Sequence, residues 1–395
     1  MNRQYEAVSE YIEAHKEEMN QTLINLVNLE GRYNEKEHVE KAMDYFCGLL
    51  EKEGFELKKT EVALDRAGIV SAILGKDRPG KPILFSGHFD TVYQKGDFGP
   101  APCRIEDGKI YGPGVIDMKG GDVMMLYVAK ALNAIGYKEH PIKMILVGDE
   151  EADHVGNLAD QVVIEESRGC YCGFNMEPGD MQNRLVVGRK TQHTFFVDVN
   201  GVGGHAGNDV LTGKNALLEA VLKIADMAKL QDLGKGSSVT PSIIHSGNQS
   251  SAIPDHCEFA VDIRFKSLEE GERLHAGIIK AIETSYIAGT TASYRLDVAR
   301  FVPYDETEEI AKLHHFMNVL AEEMGLPAFG KIQRGGVSDS GNIVAAGVPT
   351  LDGLGIMGEF AHNLREYGVL ESMYDRTKLL TCAVLRIHET GLDEN

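Results

Sequence analysis

Between residues 194 and 298 the chain runs strand, helix, strand, strand, helix, strand, and this order interrupts a longer stretch where single apolar runs alternate with helices. The inner block comprises strands at 194–199, 240–245, 257–265 and 293–298 and helices at 215–230 and 268–285, the β-α-β-β-α-β order of a ferredoxin-like split βαβ unit. Outside it, apolar runs at 69–74, 82–85 and 142–147 alternate with a helical stretch at 121–135, which predicts a parallel α/β sheet. Val39, Ala42, Met43, Phe46, Leu49 and Leu50 recur at steps of three and four, so the N-terminal region is helical, with an amphipathic helix over 38–53 ending at Gly54. Ile310, Leu313, Met317, Leu320 and Met324 predict another over 307–324. The expected architecture is α/β: a mostly parallel sheet domain from 1–188 and 303–395, interrupted by an α+β ferredoxin-like domain at 189–302.

Composition narrows the function classes. Forty Lys and Arg against sixty Asp and Glu give a net charge of −20, which repels a phosphate backbone and argues against a nucleic-acid partner. No apolar run reaches the roughly 18 residues of a membrane span, and the first twenty residues carry charge throughout with no apolar core. A cytoplasmic protein without a membrane partner is expected. Six cysteines at 47, 103, 170, 172, 257 and 382 form no Cys-x-x-Cys pair, which fits buried thiols in a reducing compartment.

Chemistry concentrates in five short segments. Ser86-Gly87-His88-Phe89-Asp90 follows the run at 82–85, so His88 and Asp90 share a face in extended backbone and sit past a strand's C-terminal end, where open α/β sheets bind ligands. Read alone, His88 is equally a satisfied loop histidine. In Gly112-Pro113-Gly114-Val115-Ile116-Asp117-Met118-Lys119-Gly120-Gly121 a single carboxylate is bracketed by glycines at a helix start, where glycine lets the backbone approach an ion, though in isolation a helix cap explains it better than a ligand does. Gly148-Asp149-Glu150-Glu151 ends the run at 142–147; adjacent side chains there diverge, so one acid can bind metal while its neighbour stays free as a base. Glu177, before Pro178, and His362, after a glycine-rich stretch, complete the set. Two histidines and several carboxylates form an N/O donor set suited to zinc or a similar divalent ion, in number enough for a two-metal site. No P-loop, His-Glu-x-x-His or Gly-x-Ser-x-Gly segment is present.

The ordered set His88-x-Asp90, Gly114-x-x-Asp117-Met-Lys-Gly-Gly, Glu150-Glu151, Glu177 and His362 resembles the M20 zinc peptidases, and within them the glutamate carboxypeptidase branch. The resemblance spans nearly the whole chain. It implies a catalytic domain with an inserted lid and dimerisation domain, hence a homodimer, and two Zn2+ per chain, with Co2+ or Mn2+ as substitutes. Asp117 is then the bridging ligand, His88 and Glu177 the ligands of one zinc, Glu151 and His362 those of the other. Glu150 becomes the general base and Asp90 orients His88.

In the inserted domain His205, in Gly203-Gly204-His205-Ala206-Gly207, resembles the family histidine that reaches an active site, often its partner's; by sequence alone it is equally a turn histidine. Arg264 and Arg300 match positions that hold a substrate carboxylate, a task an Arg fork suits, and surface arginines remain the alternative. Gly335 and Gly336 fall in a loop resembling the family's substrate-side loop. The chain departs from the pattern at Ser251, where Asn is usual, and at Gly204, where Ser is common. The expected activity is hydrolysis of an amide bond in a small peptide or N-acyl amino acid, of carboxypeptidase type. A deacylase or dipeptidase of the same mechanism, or a catalytically silent metal- or peptide-binding protein, remains the alternative.

Overall fold

The computed structural model describes residues 3–392. The chain divides into two compact units, one of Met1–Gly188, Glu306–Gln333 and Ser338–Asn395, the other of Arg189–Asp305 and Arg334–Val337.

The larger unit opens with two helices, α1 (Arg3–Val27) and α2 (Lys36–Lys52). Strands β1 (Glu56–Thr60), β2 (Ile69–Leu74), β3 (Ile83–His88), β4 (Ile142–Val147) and β5 (Cys172–Asn175) join the short strand Thr350–Leu351 in one sheet, ordered β1-β2-β4-β3-β5 and then Thr350–Leu351. From β4 to Thr350–Leu351 neighbours are parallel, and β1 and β2 add an antiparallel edge. Every residue of β3 and β5 is buried, because helices cover both faces. Helix α3 (Gly120–Ala134), α1 and Leu370–Leu385 pack together, while Ala159 and Val163, with Ile343, close the opposite face over Ile69, Leu84, Ile145 and Val147. A sheet covered on both sides takes unbroken apolar runs and leaves only strand ends for polar groups.

The smaller unit is a four-stranded antiparallel sheet of β6 (Thr191–Asn200), β7 (Ser238–Ser246), β8 (His256–Phe265) and β9 (Thr291–Val298), ordered β7-β8-β6-β9, with helices α4 (Ala216–Ala228) and α5 (Leu268–Glu283). Phe195, Val197 and Val199 of β6 and Cys257, Phe259, Val261, Ile263 and Phe265 of β8 alternate onto the helix side, where they meet Ala220, Met227, Leu274 and Ile278. Each helix is capped by a side chain of the right type: Asn215 accepts from Leu218 N–H and Ser267 from Glu270 N–H. Buried Lys223 pairs with Glu219 at 2.8 Å and donates to the carbonyls of Ala281 and Ile282, at the C-terminal end of α5 where a cation is favoured.

Residues 303–305 and 334–337, which the sequence reading assigned to the sheet domain, group with the smaller unit. Tyr304 pairs backbone to backbone with Arg189 at 3.0 and 3.1 Å, and Lys266 meets Asp305 at 3.1 Å. Arg264 Nη1 donates to Gly335 O at 3.1 Å and Arg189 Nη1 to Val337 O at 2.9 Å, while Lys190 N–H donates to Arg334 O at 3.2 Å. All six cysteines are free thiols, five of them buried, and among the described residues no helix is long and apolar enough to cross a membrane.

Candidate metal centre

Three adjacent parallel strands deliver the centre from their C-terminal ends. His88 is the last residue of β3, Asp149, Glu150 and Glu151 follow β4, and Glu177 lies two residues beyond β5. Asp117 comes from the turn ahead of α3. There Gly114 takes φ +69°, a conformation that favours glycine. A Cβ on Gly121 would lie 2.1 Å from Met176 O, so only glycine lets the first turn of α3 seat against the segment leading to Glu177. Lys119 is the residue that precedes the helix, not Asp117, and its buried ammonium donates to Leu29 O at 3.0 Å. The capping alternative for Asp117 therefore fails, and its carboxylate faces histidines instead.

The two oxygens of Asp117 point to different partners. Oδ1 lies 3.2 Å from His88 Nε2 and Oδ2 3.3 Å from His362 Nε2. Glu151 Oε2 is 3.1 Å from the same His362 nitrogen. His88, Asp117 and Glu177 each offer a donor atom within 4.8 Å of the others, and so do Asp117, Glu151 and His362. Both three-residue groups share Asp117. His362 adopts φ +61° in an exposed turn, a conformation rare outside glycine that tends to persist at functional positions.

Electrostatics follow from this crowding. Burial, then Glu177, pushes the Glu150 carboxyl well above its usual range. Burial and Asp117 bring Glu151 up to about 7. For Asp117 burial works upward too, yet His362 and His88 outweigh it and hold the acid below the ordinary carboxylate range. His362 is raised to about 11 by Asp117 and Glu151. His88 is raised against its burial by Asp117 and Asp90. Five carboxylates crowd around two imidazoles, an excess of buried negative charge in an N/O donor set that divalent cations would balance.

The three acids after β4 do not alternate as strand residues, because 150–152 form a 3₁₀ turn. Asp149 turns away to His154 Nδ1 at 3.0 Å and to Asn157, while His154 Nε2 meets Asp339 at 3.1 Å. Asp90 holds the turn in place: its two carboxylate oxygens accept Glu150 N–H at 3.1 Å and Glu151 N–H at 2.9 Å. His88 Nδ1 hydrogen-bonds the Asp90 backbone carbonyl at 3.0 Å, with the carboxylate 3.5 Å away.

Two residues that sequence reasoning did not single out belong here. Glu366 is buried, and it accepts N–H groups from Gly114, Ile116 and Asp117 at 3.2, 2.8 and 3.3 Å and the Tyr93 hydroxyl at 2.8 Å. It fixes the loop that carries Asp117. Asp122, on the first turn of α3, is fully buried with neither carboxylate oxygen hydrogen-bonded among the described residues. In sequence both read as ordinary charged positions, and no local signal marks them.

The other expected residues lie in the smaller unit. His205 is exposed, and its Nδ1 accepts from Gly207 N–H at 3.1 Å and Asn208 N–H at 3.3 Å, so it forms a turn. Arg264 Nε donates to Asp262 at 3.0 Å besides its bond to Gly335. Arg300 follows β9, and Gly336 sits beside Gly335 in the segment that Arg189 and Arg264 hold.

Comparison with known proteins gives the chain's family and fold. The pattern of peptidase family M20/M25/M40 matches residues 84–386. Carboxypeptidase G2 of Pseudomonas sp. (strain RS-16) is 28% identical over 351 residues, covering 87% of this chain and 82% of that protein. Succinyl-diaminopimelate desuccinylase of Rickettsia akari is 26% identical over 364 residues, covering 85% and 92%. Aminopeptidase PepT of Bacillus cereus shares the fold, with a TM-score of 0.79 at 20% identity over 95% of this chain and 99% of the other. The chain belongs to peptidase family M20/M25/M40 and is an enzyme of that metallopeptidase type, a hydrolase.

Proposed function

We propose that the protein is a dinuclear zinc-dependent hydrolase of amide bonds in small peptides or N-acyl amino acids, a carboxypeptidase-type exopeptidase that releases a residue with a free carboxylate. The observation that carries this reading is the division of the Asp117 carboxylate, one oxygen toward His88 and the other toward His362. His88, Asp117 and Glu177 would hold one cation and Asp117, Glu151 and His362 a second. Bound zinc supplies Lewis-acid polarisation of the scissile carbonyl and activation of the attacking water; Co2+ or Mn2+ fits the same donors.

Glu150 lies outside both groups and acts as the general base. It takes the proton from the attacking water at its carboxylate and hands it to the leaving nitrogen. Burial raises its proton affinity toward what that task needs. Asp90 positions it through the bond to its own N–H. Two backbone N–H groups on Nδ1 place the His205 proton on Nε2, which makes this ring a donor for the substrate carbonyl oxygen, in its own or a partner's site. Arg264 secures Gly335 and Arg189 secures Gly336 on the substrate side, and Arg300 binds the substrate carboxylate.

The smaller unit serves as lid and dimerisation domain. Leu218, Val221 and Leu222, spaced three and four apart on α4, are exposed, apolar side chains that a second copy would cover about a two-fold axis. Free buried thiols support the cytoplasm as the compartment. A desuccinylase among the relatives favours one second reading, N-acyl amino acid deacylation by the same residues.

The test is metal content per chain on fresh protein, with turnover of dipeptides and N-acyl amino acids before and after chelation. Near two zinc per chain with chelator-sensitive turnover is expected, and the preferred substrates separate exopeptidase from deacylase. No bound metal and no rescue by zinc, cobalt or manganese overturns the reading.

A further inference from the structure

The smaller unit carries a separate set of metal-ligand side chains on the bare face of its sheet. Odd-numbered residues of β6 and β8 point to the helices, so Asp198, His256 and Glu258 point the other way. Asp198 and Glu258 are direct register partners, which sets two like charges opposite one another, a destabilising pairing when nothing sits between them. His256, two residues along the same face, brings Nε2 to 2.9 Å from Asp198 Oδ2 and 3.9 Å from Glu258 Oε1. One donor atom from each of the three lies within 4.8 Å of the other two. Asn200 Nδ2 holds Asp198 Oδ1 at 2.7 Å, which leaves Oδ2 turned toward His256.

A fourth candidate donor stands on the next strand, outside that 4.8 Å group. His245 of β7 is the register partner of Glu258 on the side away from Asp198. His245, Glu258 and Asp198 line one hollow of about 440 Å3, and His245, Glu258 and His256 line another of about 550 Å3. We propose that Asp198, His256 and Glu258, completed by His245, bind one divalent transition-metal cation on the bare face of this sheet.

The donor set decides the cation. Two imidazole nitrogens with two carboxylate oxygens suit zinc and its transition-metal neighbours, whereas calcium and magnesium take oxygen ligands throughout. The ion neutralises the facing acids and ties β7, β8 and β6 together across the sheet. Side-chain exposures of 40% for Asp198, 45% for His256 and 61% for Glu258 keep the ligands partly hydrated, so this ion exchanges more readily than one in the buried centre of the larger unit.

The experiment uses the full chain, stripped of metal and dialysed against graded free Zn2+, with bound zinc counted per chain. At saturating zinc, His256→Ala and Asp198→Asn are each expected to hold one equivalent fewer than the wild type, and a His88→Ala/His362→Ala variant to retain that equivalent. Cobalt in the latter variant gives the visible bands of a four-coordinate ion. Equal zinc in wild type and His256→Ala overturns the proposal, as does loss of the equivalent from the His88/His362 variant. The readout is a difference of one, so it holds whatever number the larger unit binds. If His88→Ala/His362→Ala removes no zinc, it is the dinuclear reading that falls. Asp198 and His256 are surface groups, and an unchanged melting curve of the metal-free His256→Ala and Asp198→Asn variants confirms that the fold is intact.

Discussion

The two sheets handle polar chemistry in opposite ways. In the larger unit, helices on both faces bury β3 and β5 along their whole length, so acids and imidazoles appear only where strands end, and there they crowd into low dielectric. In the smaller unit helices cover one face, and Asp198, His256 and Glu258 sit on the other, on two central strands, open to solvent. The difference shows in their charges. Burial is the first cause of the raised Glu150 and Glu151, while His256 is raised chiefly by its hydrogen bond to Asp198. Crowding under burial supports catalysis, because groups with displaced proton affinities can trade protons near neutral pH; a wet cluster supports ion binding at most.

The sharpest way to break that contrast is Glu150→Gln. If Glu150 is a base and not a ligand, the variant keeps its metal and loses about 10²- to 10⁴-fold in kcat. Metal analysis alongside single-turnover kinetics reads both, and full turnover removes Glu150 from the mechanism. A smaller loss is expected from Glu366→Gln, which weakens the grip on the Gly114, Ile116 and Asp117 N–H groups. Such supports are worth roughly 10- to 100-fold in metal affinity or activity, and competition with a chromophoric chelator measures the affinity part. Should metal affinity stay at the wild-type value, Glu366 is a fold element only.

Arg300→Ala tests the substrate end. Losing a charge-assisted bond costs about 1.5–3 kcal/mol, roughly 10- to 100-fold in KM for substrates ending in a free carboxylate. Amidated substrates provide the comparison, and an equal rise in KM on them excludes the clamp.

Legibility in the sequence followed the same contrast. Helices and strands with clean periodicity were readable: α3 spans Gly120–Ala134 against an expected 121–135, and α5 spans Leu268–Glu283 against 268–285. His88, Asp117, Glu151, Glu177 and His362 stood out because unbroken apolar runs lead into them or glycines flank them. Glu366 and Asp122 did not, since what marks Asp122 is burial, and what marks Glu366 is the groups it faces 250 or so residues away, as in the bond from Ile116 N–H. The Asp198–Glu258 pair depends on strand register, which alternation alone leaves open. Residues 334–337 join the smaller unit through the guanidinium bonds of Arg189 and Arg264, a tertiary cause with no local signature.

The smallest effect concerns stability of the smaller unit alone. His193 Nδ1 and His275 Nε2 are 2.7 Å apart, against Phe265, whose ring stands edge-on to His193 at 5.0 Å. Burial, then the His275 charge, lowers His193 to about 4, and burial lowers His275. Both groups have folded values below their unfolded ones, so the unfolded chain takes up protons first as the solution is acidified. Stability is complete above pH 6.5 and is lost as pH falls through about 4. With the pair partly exposed, the effect is discounted to about 1–2 kcal/mol. Acidification also protonates the carboxylates of the larger unit, so the wild-type melting curve alone does not isolate the pair. The informative quantity is the difference between wild type and His275→Gln in calorimetric scans at pH 7 and pH 4.5. A smaller acid-induced fall in the variant assigns the loss to the histidine pair, and identical falls remove it as a source of acid sensitivity.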